Sequence, residues 1–219
     1  MRLEEAHERI DRIVGVPFGN LFSPEDIHTI IINKGKSGQL LELALGKKLD
    51  SGNIDFENGE LKTNKCDHTG KPLETIFVTQ VSSIIDELLQ KKPFEDTHLY
   101  EKIGNLLYVP VCKEGKPEDW YFLKPTHIDL SLPKYAFLLE VWEDDYYSIC
   151  DQLIYHIEHS NDGFIHTSNG RHLQIRSKDA RNNRGEYNPI FSKKYGRYVS
   201  NKNHAFYFKK DMVNELRNI

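Results

Sequence analysis

Asp55-Phe56-Glu57-Asn58-Gly59-Glu60-Leu61-Lys62 is the stretch on which the reading of this chain turns. Glu60-Leu61-Lys62 has the alternation of a β-strand, in which every second side chain shares a face. Glu60 and Lys62 therefore point one way and Leu61 points towards the core. Asp55, a few residues ahead, adds a second carboxylate to the same small surface. Two close carboxylates repel unless a cation lies between them, and hard oxygen donors suit Mg²⁺. An adjacent ammonium can orient an attacking water, so the set matches metal-assisted hydrolysis of a phosphodiester. The same tripeptide also occurs as a weak ion pair on a solvated strand edge. The rest of the chain has to decide between the two.

Charge supplies one constraint. The net charge of −4 argues against a crude polyanion binder, but it is unevenly spread. Residues 163–219 carry twelve Lys+Arg against four Asp+Glu, a balance of +8, whereas residues 1–162 stand at −12. A basic segment on an acidic body is expected where one face meets a phosphate backbone. It is equally compatible with a basic hairpin that meets no partner. The 219 residues suffice for one good-sized core or two lobes sharing a cleft. No apolar run reaches membrane-spanning length, and the acidic N-terminal segment (Glu4, Glu5, Glu8, Asp11) has no secretory core. Cys66, Cys112 and Cys150 lack metal or disulfide spacing, and the ten histidines show no zinc pattern. A reducing cytoplasm fits, with no membrane partner.

Along the chain, residues 2–15 read as an amphipathic helix closed by Pro17 and Gly19, and Ser23-Pro24-Glu25-Asp26 opens a short second helix. Residues 35–45 read as a buried helix carrying Glu42. Residues 60–64 are expected to be the central strand, with residues 75–81 as a strand able to pair with it. Residues 82–92 read as helix, 106–112 as strand, and 135–158 as one long helix or two. Strands at 172–176 and 205–208 and a terminal helix complete the pattern. There is no βαβ rhythm, internal repeat or long linker, so the expected class is α+β with a mixed sheet, folded as one domain over residues 1–219. Its two lobes are expected near 1–125 and 126–219, sharing a cleft.

Five ordered segments resemble MutH and the MutH-like restriction endonucleases, a branch of the PD-(D/E)xK nuclease fold. They are Lys34-Gly35-Lys36-Ser37-Gly38-Gln39-Leu40-Leu41-Glu42; Glu60-Leu61-Lys62-Thr63 with Gly70-Lys71-Pro72-Leu73-Glu74-Thr75 and Phe77-Val78; Leu107-Tyr108-Val109-Pro110-Val111; Leu173-Gln174-Ile175-Arg176-Ser177-Lys178; and Phe206-Tyr207-Phe208-Lys209-Lys210. The resemblance implies that Asp55 and Glu60 bind the metal, Mg²⁺ with Mn²⁺ as substitute, and that Lys62 completes the catalytic set. It implies Glu42 as an additional metal-site carboxylate, Lys102 as a lysine near the scissile phosphate, and a DNA cleft between a catalytic lobe (1–125) and a DNA-reading lobe (126–219). Arg176, Lys178 and Tyr207 would face bases and backbone, Lys34 the backbone, and Lys209 would lie in the second reading segment. Lys193, Lys194 and Lys210 are further candidates for phosphate contacts.

Two features depart from MutH. The interval between Asp55 and Glu60 is two residues shorter, and Ile54 stands in place of the usual proline. Asp50 is the alternative carboxylate. These departures favour a Mg²⁺-dependent restriction enzyme acting on double-stranded DNA at GATC-like sites, as a monomer or weak dimer. The alternatives are a repair nickase acting on hemimethylated GATC with a partner ATPase, and a catalytically silent DNA-binding domain.

Overall fold

The computed structural model describes residues 1–32, 37–46, 55–178, 181 and 184–216. In chain order the elements are α1 (Leu3–Asp11), α2 (Phe18–Leu21), α3 (Pro24–Ile32), α4 (Ser37–Ala44), β1 (Glu60–Cys66), β2 (Ile76–Gln80), α5 (Ile85–Leu89), α6 (His98–Ile103) and β3 (Asn105–Cys112). There follow β4 (Tyr121–Phe122), β5 (Thr126–Asp129), α7 (Ala136–His159), β6 (Ser168–Asn169), β7 (Leu173–Ser177), β8 (Ile190–Ser192), β9 (Arg197–Ser200), β10 (His204–Phe208) and α8 (Lys210–Leu216). They divide into two units that are interleaved in sequence. One comprises Met1–Ile76, Ile103–Asp129 and Val213–Ile219, the other Phe77–Lys102 and Leu130–Met212. The class is α+β with a mixed sheet, as the sequence pattern predicts.

In the first unit β3, not β1, is the central strand. It pairs in parallel with β1, from Glu60↔Leu106 to Cys66↔Cys112, and antiparallel with both β5 and β4 on its other side. The reason is compositional. Leu106 to Cys112 is apolar without alternation and is buried throughout, which only a strand covered on both faces can satisfy. Pro110, which has no N–H to give, falls between the stretch paired with β5 (Asn105–Tyr108) and the stretch paired with β4 (Val111–Cys112). Leu3, Ala6 and Ile10 of α1 and Leu40 and Leu41 of α4 close the core over Leu61, Leu107, Val109 and Val111.

The second unit holds a sheet in the order β2-β10-β7-β6 and a separate β8-β9 hairpin. The expected pairing of residues 75–81 with β1 is thus replaced by pairing of β2 with β10. Helix α7 is one continuous helix, with neither Pro nor Gly inside it. Its buried side chains, Leu138, Trp142, Asp145, Tyr146, Ile149, Cys150, Leu153 and Ile157, recur at helical spacing. They cover the inner face of the sheet, where Trp142 packs 4.9 Å from Phe208. Among the described residues no helix is long and apolar enough to cross a membrane.

Candidate active site

The shortened interval between Asp55 and Glu60 is closed by a tight turn. Phe56 and Gly59 bridge one another, the Phe56 N–H donating to the Gly59 carbonyl at 3.0 Å. Gly59 is obligatory here because a Cβ would lie 2.3 Å from the Asn105 carbonyl oxygen and 2.4 Å from Leu3 Cδ1. The turn is also held from outside. Asn105 Nδ2 donates to the Asn58 carbonyl at 2.6 Å, His127 Nε2 lies 2.7 Å from Asn105 Oδ1, and the Leu3 N–H donates to Asn58 Oδ1 at 2.9 Å. Helix α1 and strands β3 and β5 thus fix the loop that delivers Asp55.

The three residues singled out in the sequence meet through direct hydrogen bonds. The Asp55 N–H donates to Glu60 Oε2 at 3.1 Å, and the Leu61 N–H donates to Asp55 Oδ2 at 2.9 Å. Lys62 Nζ donates to Glu60 Oε1 at 2.9 Å, as the same-face geometry of residues two apart requires. The pair is withdrawn from water, with the Glu60 side chain 5% and the Lys62 side chain 10% exposed. A solvated edge pair is therefore not what the fold builds. Burying two charges costs several kcal/mol per ion unless each is paired and bonded, as these are. Glu42 lies half-buried on α4, which packs on β1 with Gly38 facing Thr63. Among the described residues no group of three or more His, Cys, Asp and Glu is placed to hold a metal. Two carboxylates are nevertheless a fitting donor set for Mg²⁺, which binds through one or two carboxylates, waters and substrate phosphates.

In the second unit, the outer face of the β2-β10-β7-β6 sheet gathers Arg176, Lys178 and Tyr207. The Arg176 guanidinium stands 4.2 Å over the Tyr207 ring, and Lys178 Nζ lies 4.1 Å over the Phe77 ring. Phe77 meets Tyr207 edge-on at 5.8 Å. Burial against that ring pulls the Lys178 ammonium below the usual lysine range. Phe77 had no assigned role in the sequence reading. The signal was there, an aromatic side chain at an exposed position between buried Ile76 and Val78.

Behind this face a buried carboxylate fixes the strand. Asp145 of α7 accepts the N–H groups of His172 at 2.7 Å and Leu173 at 2.8 Å, at the start of β7. Lys209 Nζ donates to the Gly170 carbonyl at 3.1 Å, and Lys194 Nζ to the Leu89 carbonyl at the end of α5. Lys102 lies in the last turn of α6. Lys34 and Asp50 lie outside the described residues.

Residues 47–122 match a family model described as DNA mismatch repair enzyme MutH. The span includes Asp55, Glu60, Lys62 and Lys102; Glu42 and the Arg176 to Lys209 set lie outside it. Among curated proteins, the chain is 34% identical over 120 residues to a DNA mismatch repair protein MutH of Vibrio cholerae, covering 51% of this chain and 52% of that protein. It is 36% identical over 123 residues to one of Vibrio campbellii, covering 52% and 51%. With one of Shewanella woodyi it shares 30% identity over 161 residues, 65% of this chain and 64% of that protein. The chain spans about half the length of the first of these relatives.

Proposed function

We propose that this chain, which belongs to the MutH family and has its PD-(D/E)xK nuclease fold, is a Mg²⁺-dependent DNA endonuclease of the mismatch-repair type. The observation that carries the reading is the hydrogen-bonded set formed by Asp55, just ahead of β1, with the largely buried Glu60 and Lys62 on that strand. Asp55 and Glu60 would hold the ion, with Glu42 on the neighbouring helix as a further carboxylate. Bound Mg²⁺ supplies Lewis acidity towards the phosphodiester and lowers the pKa of a coordinated water. Lys62, held in place by its bond to Glu60, offsets the charge that develops on the phosphoryl oxygens and orients the nucleophile. The second unit would select the DNA, with Arg176 and Tyr207 towards base edges and Lys178 towards phosphate.

The restriction role favoured by the departures around Asp55 gives way here to the repair role. Each relative named above is called a mismatch repair protein, and the family match runs through the shortened loop on which the restriction reading leaned. A partner ATPase belongs to the same proposal.

The test uses closed-circular plasmid carrying GATC sites, unmethylated, hemimethylated or fully methylated, with Mg²⁺ and an EDTA control. Mg²⁺-dependent nicking of the unmethylated strand of hemimethylated DNA is expected. Discrete double-strand fragments from unmethylated plasmid would return the protein to the restriction class. Tight binding without any Mg²⁺-dependent cutting would make it a silent DNA-binding domain.

A further inference from the structure

Alternation along β7 sends Leu173 and Ile175 into the core and turns Gln174 and Arg176 to the outer face, with Lys178 two residues further on. The antiparallel register places Gln174 directly opposite Tyr207 on one side and Asn169 on the other. Directly opposed residues have Cβ atoms about 5 Å apart, so Gln174 leaves its strand beside the tyrosine over whose ring Arg176 is stacked.

Its neighbours are engaged with one another, Arg176 with Tyr207, Lys178 with Phe77, and Phe77 with Tyr207. Gln174 differs. It is half-buried, yet its side chain makes no hydrogen bond among the described residues. A carboxamide carries a donor and an acceptor side by side, the pattern that matches N7 and N6–H of adenine in the major groove. Its neighbour two residues on is an arginine, whose fork matches guanine O6 and N7. The two side chains leave the strand about 6.7 Å apart, within the span of neighbouring base pairs for side chains of this length.

We propose that Gln174 is a specificity-determining residue that reads an adenine beside the base pair read by Arg176, Oε1 accepting from N6–H and Nε2 donating to N7. The inference rests on the DNA-endonuclease reading for its ligand and deepens it by naming a base and a residue.

The experiment is selection from a randomised DNA duplex in Ca²⁺, which permits binding without requiring cleavage. Wild-type protein is compared with Gln174→Ala and Gln174→Glu. Wild type is expected to enrich guanine next to adenine. Gln174→Ala should lose the adenine preference by about tenfold or more while keeping the guanine. Gln174→Glu, which removes the donor and keeps the shape, should move the preference towards cytosine, whose N4 amino group donates. Identical enriched sequences for all three proteins would overturn the inference, as would a wild type with no adenine preference beside guanine. The two readings fail separately. Adenine selection by Gln174 without cutting in Mg²⁺ sinks the endonuclease and leaves Gln174 standing, whereas cutting with an unmoved base preference does the reverse.

Discussion

The polar residues of β1 and those of β7 are held in opposite ways. On β1, Glu60 and Lys62 are buried, bonded to each other, and locked to Asp55 through two backbone-to-carboxylate bonds. On β7, Arg176 is exposed and rests on an aromatic ring, and Gln174 keeps its amide unspent. On the proposed roles, the difference follows from what each set would have to do. Groups that stabilise charge on a reacting phosphate gain most when their geometry is fixed beforehand in a dry site. Groups that select a base must present donors and acceptors that the protein has not already satisfied. On β7 the rigidity is moved behind the strand, to Asp145 and the backbone N–H groups it clamps.

The largest effect that tests this contrast is expected from Lys62→Ala. Cleavage should fall by about a hundred- to a thousandfold, the scale of losing one charge-stabilising group. Binding to duplex in Ca²⁺ should stay within a few-fold, because the residues proposed to read the bases belong to the other unit. Cleavage within tenfold of wild type, measured on plasmid with initial rates, would remove Lys62 from the catalytic set.

Next comes Gly59→Ala. The clash is with a backbone oxygen of a central strand, which cannot swing aside, so the cost should reach about 3 kcal/mol, the upper end for overpacking. A drop of several degrees in Tm and a loss of cleavage out of proportion to lost folding would show that the turn positions Asp55. Unchanged stability would mean that the loop adapts and is less fixed than the comparison claims.

The smallest effect concerns the sheet of the second unit. His204 is buried on β10, with Nδ1 3.2 Å from the Lys202 carbonyl and 3.3 Å from Ser200 Oγ. Burial, with the Lys202 and His166 charges adding to it, pushes its pKa down to about 4, against a bond to the Lys202 carbonyl that raises it. The unfolded value is near 6.5, so between the two the unfolded chain holds the extra proton. Stability from this group is complete above about pH 6.5 and is lost as pH falls towards 4. Between pH 7 and 5 the loss should be on the order of 2 kcal/mol, and His204→Gln should flatten it in urea titrations. An unchanged pH slope in the variant would locate the acid sensitivity elsewhere.

Much of the molecule was legible before any fold was known. The shared face of Glu60 and Lys62 followed from strand alternation and the nearness of Asp55 from its place just ahead of that strand, and β3, α7, β7 and β10 followed from unbroken apolar runs or helical spacing. The pairings of two strands were not legible. Both β1 and β2 have the composition of half-buried strands, and nothing local says which neighbour each will take. The Asn58–Asn105–His127 chain was equally hidden, since its members are 47 and 22 residues apart.

What the sequence alone determined is therefore what covalent geometry makes local: that Glu60 and Lys62 share a face, that Gln174, Arg176 and Lys178 fall on alternate positions, and that the basic charge lies in the last quarter of the chain. Which strands pair, which charges leave water, and which lysines are tied to carbonyls, as Lys194 and Lys209 are, only the tertiary structure decided. A residue's facing direction is set by its own backbone and its immediate neighbours. Its partners and its burial are set by segments far away in the chain, whose competing pairings differ in energy through packing that no single stretch contains.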